Sequence, residues 1–261
     1  MTPTLLHLDV SPWSERARWA LDLRGVAVRH QRYTPLLGEA RLWFLRRKAS
    51  GPLSVPVLIT DEGVITDSTE IARWADARGQ GPRLFPPERA DEIQRWLLVS
   101  DRALDAGRVL ALHRMLQSPD ALDEQVPAAL RWLGPIARSV ATVGVRRILQ
   151  KYGGAARAET EARSTLNAAL DEIRVGLAAA TSSDEPVRTL LGQLSYADLC
   201  ATQALTFVQP PDAGLVLGPA SRSVYTDPEL ARHHADLVAW RDSVYARWRV
   251  VSGLSRAGIL G

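Results

Sequence analysis

Two serines three residues apart, Ser11 and Ser14, flank Pro12 and Trp13 where an extended pattern gives way to a helical one. Leu6, Leu8 and Val10 recur at a period of two within Thr4 to Val10, as in a half-buried strand. Trp13, Ala17, Ala20 and Leu21 then recur at helical spacing, and Gly25 stands where a left-handed residue would close the helix. The spacing predicts a strand-to-helix corner with Ser11 as N-cap and Pro12 at the first helical position, where its missing N–H is no loss. A helix start presents unpaired N–H groups and about half a positive charge. Such a corner can hold an anion, a thiolate included, by a hydroxyl and backbone amides. The competing reading is a helix cap with no further role, which is the commoner one for an isolated Ser-Pro start.

Three further stretches bear on that choice. Ser54-Val55-Pro56-Val57-Leu58 puts a proline inside a strand pattern, Thr66-Asp67-Ser68-Thr69-Glu70-Ile71 opens a helix with an acid and a serine, and Ser195-Tyr196-Ala197-Asp198 has capping-box spacing before an apolar run. With Ser11-Pro12-Trp13-Ser14 and the Arg16-x-Arg18-x-Ala20-Leu21 run after it, the ordered set resembles the glutathione transferases and, at the corner, the glutaredoxins. The first motif looks like Cys-Pro-aromatic-Cys with serine at both cysteine positions. The resemblance implies a thioredoxin-like α/β domain over residues 1–79, then an all-helical bundle over 90–261. It implies that Ser11 donates a hydrogen bond to the sulfur of glutathione and that Pro56 is cis. The backbone of Val55 would then meet the cysteinyl part, and Asp67 with Ser68 the γ-glutamyl group. Ser14 is implied as a second donor, although a serine at N3 is more often local scaffolding, and Arg41 or Lys48 as the cation for the glycyl carboxylate. The activity implied is attack of the activated thiol on a small apolar electrophile, in a homodimer. A binding protein without turnover and a glutathione-dependent isomerase are the alternatives. Without cysteine at positions 11 and 14, disulfide exchange lacks its attacking thiolate.

Those residues need elements to hold them. Val26 to Tyr33 reads as a second strand, Leu36 to Ser50 as an irregular basic segment, and Val55 to Thr60 with Val64 to Asp67 as a hairpin about Asp61-Glu62-Gly63. Ser68 to Arg78 reads as a helix capped by Ser68. Gly79-Gln80-Gly81-Pro82 and Phe85-Pro86-Pro87 form a linker. Beyond it the period is helical: Glu88 to Gln117, Gln125 to Tyr152 with a break at Gly134-Pro135, Ala155 to Ala180, Tyr196 to Val208 and Pro228 to Arg247. Arg131 to Lys151 mixes apolar and basic residues, which suits either packing in the bundle or a basic amphipathic surface helix; packing is the expected role. Ser195 and Asp198 are expected to be structural, and Cys200 an inert core residue.

The 261 residues are 46% hydrophobic and 23% charged, ordinary for a globular chain able to bury a sizeable core. A net charge of +3 gives no basic tail, so neither nucleic acid nor a membrane is an expected partner. The single cysteine excludes an intramolecular disulfide, and neither a secretory leader nor an 18-residue apolar run is visible. A cytoplasmic location is expected. There is no P-loop, Gly-x-Gly-x-x-Gly, nucleophile elbow or His-Glu-x-x-His. Of five histidines only His233 and His234 are adjacent, so no metal is expected.

Overall fold

The computed structural model describes residues 2–34, 54–151, 159–180 and 186–249. Arg41, Lys48 and the basic segment around them lie outside these. A four-stranded sheet of order β2-β1-β3-β4 is built from β1 (Thr4–His7), β2 (Arg29–Arg32), β3 (Val57–Ile59) and β4 (Val64–Ile65). The β1–β2 pair is parallel, with Leu5 opposite His30; β1–β3 and β3–β4 are antiparallel. A parallel pair needs a crossover, which α1 (Pro12–Leu23) supplies, and α2 (Ser68–Arg78) packs beside it. The βαβ-then-ββα order expected from sequence is thus the observed one, with a thioredoxin-like sheet.

The first strand is shorter than its alternation predicts, and all four of its residues are buried. Leu5 packs with Ala17, Leu21, Leu58, Ile71 and Ala75 under the helices, while Leu6 packs with Val57 on the other face. A strand covered on both sides carries no alternation, so the period of two through Leu8 and Val10 reflected a turn rather than a continuing strand. The N-cap of α2 also differs from expectation. It is Asp67, whose Oδ1 accepts from the N–H groups of Thr69 at 2.8 Å and Glu70 at 3.2 Å, and Ser68 is the first helical residue. A carboxylate is the better acceptor for two amides at once.

Every described element after Arg78 is helical: α3 (Ala90–Leu116) after a 3₁₀ turn, α4 (Pro119–Glu124), a 3₁₀ turn Ala128–Leu133, α5 (Pro135–Lys151), α6 (Glu159–Ala179), α7 (Tyr196–Ala204), α8 (Pro219–Tyr225), α9 (Pro228–His233) and α10 (Ala235–Trp248). All nine residues of α7 are buried, between α3 and α1. Its capping box forms as expected: the Ser195 N–H and hydroxyl donate to Asp198 at 2.9 and 3.0 Å, and the Leu190 N–H donates to the other carboxylate oxygen at 2.8 Å. Burial nonetheless pushes the Asp198 carboxyl up to about 6. The single helix expected over 228–247 is broken at His234, which is buried with both ring nitrogens engaged, by Arg174 and Asn167. Packing accounts for only one face of α5; its other apolar residues are exposed.

Candidate functional site

Ser11 is the N-cap of α1, in extended conformation, and Pro12 opens the helix as the sequence predicts. Gly25, with φ of 67°, follows the Arg24 C-cap in the expected left-handed conformation. The Ser11 Oγ accepts from the Ser14 N–H at 3.3 Å, and among the described residues its hydroxyl hydrogen has no acceptor. Ser11 is half-buried, so that hydrogen can reach a ligand at the helix N-terminus. Ser14 takes the local scaffolding role rather than that of a second donor. It is fully buried and its Oγ accepts from the Leu8 N–H at 3.1 Å, which fixes the turn between β1 and α1. Two serines three apart thus do different work: one faces outward and the other ties the loop beneath it.

The Val55–Pro56 peptide bond is cis, as expected from the motif. Val55 stands two residues before Val57, the first β3 residue in register with β1, so its backbone lies outside the ladder. Asp67 is exposed at the start of α2, and Ser68 beside it is buried. The fully buried Tyr196 hydroxyl comes up beneath this helix start, beside Thr69 and Ser68, and has no hydrogen bond of normal geometry. Burial pushes that phenol above its ordinary range.

The corner is held from below by charges that the sequence reading missed. Glu15, in the first turn of α1, is fully buried; its carboxylate takes Nε of Arg18 at 3.0 Å and the terminal nitrogen at 2.7 Å, and is clasped from the other side by Arg249. Arg249 also reaches Asp22 at 2.7 Å. Burial alone would raise the Glu15 carboxyl, but the charges of Arg249 and Arg18 hold it below its ordinary value. Arg18 extends the network to the Gly214 carbonyl at 2.6 Å and to His7 at 2.9 Å, while Arg32 binds Asp9 at 2.8 Å. A Cβ on Gly214 would sit 2.1 Å from the Glu15 carboxylate, so this loop approaches α1 as closely as a glycine permits. No local signal marks the burial of Glu15: its pair with Arg18 is one that any exposed helix can form, and Arg249 lies far along the chain.

On the outer side of α1, Trp13 packs on an apolar cluster that includes Leu104, Ala111, Met115, Phe207 and Tyr225, and the guanidinium of Arg108 lies 4.6 Å from the Trp13 ring centre. On its inner side Arg16 is buried against α7, donating to Cys200 Sγ at 3.3 Å and to Asp101 at 2.8 Å. Burial raises the Cys200 thiol to about 11, which suits the inert role expected of it. The histidine pair acquires a third group in space: ligand atoms of Asp171, His233 and His234 lie within 4.8 Å of one another. The Arg174 guanidinium, however, donates to Asp171, to His234 at 2.8 Å and to Asp236, and fills that cluster with a positive charge.

Residues 10–78 match the family model described as glutathione S-transferase, N-terminal domain. No curated protein matches the chain. Among solved structures, the glutathione S-transferase of Ceriporiopsis subvermispora in complex with glutathione is 17% identical with a TM-score of 0.64, over 96% of this chain and 99% of that one. A glutathione transferase of Phanerochaete chrysosporium is 14% identical with a TM-score of 0.62, over 97% and 99%. The glutathione S-transferase of Methylobacillus flagellatus with glutathione bound is 14% identical with a TM-score of 0.57, over 98% of each chain. At these identities the likeness is one of fold.

Proposed function

From a chain whose residues 10–78 match the glutathione S-transferase N-terminal domain, and whose fold is similar to that of solved glutathione S-transferases, we propose that the protein is a glutathione transferase. It activates the glutathione thiol for attack on a small apolar electrophile. One observation carries the reading: the half-buried Ser11 hydroxyl stands at the N-terminus of α1 and, among the described residues, its hydrogen has no acceptor.

Glutathione presents a thiol, an extended peptide backbone and charged groups, and the corner has a counterpart for each. The Ser11 hydroxyl donates to the sulfur, and that bond, with the amides of the first turn of α1, favours the thiolate over a thiol whose ordinary pKa is about 8.5. The thiol proton leaves to solvent, and the sulfur lone pair forms the bond to the electrophilic carbon as that carbon's bond to its leaving group breaks with its electron pair, or, in an activated alkene, as the π pair moves to the acceptor and takes up a proton from solvent. Ser11 keeps its proton, so it stabilises the nucleophile and does not act as one. Val55 offers a backbone N–H and C=O outside the ladder to the cysteinyl unit, as a strand edge receives a peptide. The γ-glutamyl carboxylate takes the N-terminus of α2 with Ser68, and its ammonium takes the exposed Asp67 carboxylate. Arg41 remains our candidate for the glycyl carboxylate. The helical half of the chain holds the electrophile, beside the partly exposed Trp13. We further assign the protein to the cytoplasm and to a homodimer through α3 and α6, where Leu98 and Val175 are exposed beside the Arg102–Glu172 pair.

Calorimetry with glutathione, followed by turnover of model electrophiles, tests the reading. In Ser11→Ala, losing one charge-assisted hydrogen bond costs about 1.5–3 kcal/mol of thiolate stabilisation, hence roughly a tenfold to hundredfold slower conjugation at neutral pH with little change in affinity. The cap lost at the same time costs about 1 kcal/mol of stability, so the fold is verified first. Ser14→Ala does not separate these effects, because its hydroxyl holds the loop. A folded Ser11→Ala variant conjugating at the wild-type rate would reduce Ser11 to a helix cap; binding without turnover would make the protein a glutathione carrier.

A further inference from the structure

The helix α5 has two apolar faces, and the chain covers one of them. Ala137, Ala141, Val145 and Leu149 recur every four residues and are buried on the side toward α3 and α4. On the far side Ile136, Val140 and Val143 are 65%, 42% and 64% exposed, and Trp132, in the preceding turn, is 80% exposed. Eight large apolar side chains are prominently exposed among the described residues, and five of them fall between Trp132 and Ile148. Such clustering separates this face from the scattered apolar exposure of any surface.

The polar residues of α5 complete the pattern. Positions 136, 140, 143, 147 and 151 advance by four, three, four and four residues, so they share one stripe. Its first three members are Ile136, Val140 and Val143 and its last two are Arg147 and Lys151, with Arg146 on the flank. The helix carries four cations and no carboxylate. Arg138 is paired with Asp123, whereas Arg146 and Arg147 point outward and are exposed. The apolar part of the stripe covers on the order of a few hundred Å², well short of the roughly 1,200 Å² that a specific protein interface buries. An anionic lipid surface asks for less area, because it adds charge attraction to shallow burial of a few side chains, with a tryptophan at headgroup depth.

We propose that α5 is a docking face for an anionic bilayer surface. The helix, about 25 Å long, lies flat on the membrane with Trp132, Ile136, Val140 and Val143 in the headgroup–acyl boundary and Arg146 and Arg147 on the lipid phosphates. Its inner face is already packed, so docking orders nothing new. The attachment is peripheral: among the described residues no helix is long and apolar enough to cross a membrane. The docking is independent of whether glutathione is turned over.

Co-sedimentation of the full chain with vesicles of phosphatidylcholine, alone or mixed with phosphatidylglycerol, tests it. Binding is expected to the mixed vesicles only and to weaken with added salt. Val140→Glu with Val143→Glu lowers the affinity at least tenfold, and Arg146→Glu with Arg147→Glu at least as much. All four side chains are exposed, so these variants retain the far-UV spectrum and thermal midpoint of the parent; Ile136→Ser is the milder probe should the double variant fail to fold. Absence of binding to the mixed vesicles overturns the proposal, as does binding that these substitutions leave unchanged. So does a dimer in sedimentation equilibrium that Val140→Glu with Val143→Glu dissociates, which would assign the face to a second copy of the chain.

Discussion

Replacing Glu15 by alanine should be among the most damaging single changes near the site, although Glu15 touches no proposed ligand. Its carboxylate is fully buried and receives both Arg18 and Arg249, at distances down to 2.7 Å for Arg18. Removing it leaves two largely buried guanidinium groups facing each other, and breaking a buried pair by removing one partner costs about 3–5 kcal/mol. That is a large share of the roughly 5–15 kcal/mol that holds a typical domain folded. Urea denaturation followed by tryptophan fluorescence should show the midpoint fall, and Glu15→Gln should lie between, since its single amide oxygen keeps part of the hydrogen bonding while the charge is lost. In a double-mutant cycle Glu15→Met with Arg249→Met should recover part of the loss, because the remaining Arg18 keeps the Gly214 carbonyl and has Asp9 nearby. The pH dependence has a definite sign. The carboxyl is held below its ordinary value of 4.5, burial opposing and Arg249 and Arg18 outweighing it. Its contribution is therefore fully present above about 4.5 and is lost as the pH falls below that value, a loss that Glu15→Gln should lack. A Glu15→Ala protein within about 0.5 kcal/mol of the parent would refute the reasoning, because it would mean the two arginines reach solvent without cost.

Other expectations follow from single sites. A Cβ on Gly176 would stand 2.2 Å from the Trp96 ring, so Gly176→Ala should destabilise by about 1–3 kcal/mol despite its better helix propensity. Gly144 has nothing within 4 Å of such an atom, and Gly144→Ala should raise the unfolding free energy measured in urea by about 0.5–1 kcal/mol; equal shifts in the two variants would contradict the packing argument. Burial, and then the charge of Arg174, push His234 down to about 4 from an ordinary 6.5, so the unfolded chain takes up its proton first. Stability from this group is therefore complete above 6.5 and falls away toward pH 4, and a ring resonance of His234 titrating near 6.5 in the folded protein would show the ring to be free.

The corner, the hairpin with its cis proline and the capping box of α7 were legible because each is decided by a few neighbouring residues. A proline after a serine, an apolar period and an acid three residues past a serine act within one or two turns, and Ser11, Gly25 and Asp198 stand where that local chemistry puts them. Where two local solutions competed, reading left to right chose less well: Ser68 and Asp67 can each cap α2, and the carboxylate takes the two amides. The division of labour between Ser11 and Ser14 was not local either, since it depends on which hydroxyl the β1–α1 turn folds over. The break at His234 needed Arg174 and Asn167 from another helix. The sequence left α5 open between packing and a basic amphipathic surface, and only the bundle shows that one face packs while the other stays exposed. Glu15 marks the limit most clearly: a carboxylate in a first helical turn reads as a solvated charge favourable to the dipole, and only an arginine 234 positions later, carried to it by the helical half of the chain, makes it a buried one. Sequence patterns report the free energy of neighbours along the chain, whereas a buried charge is stable only if its partner arrives through space.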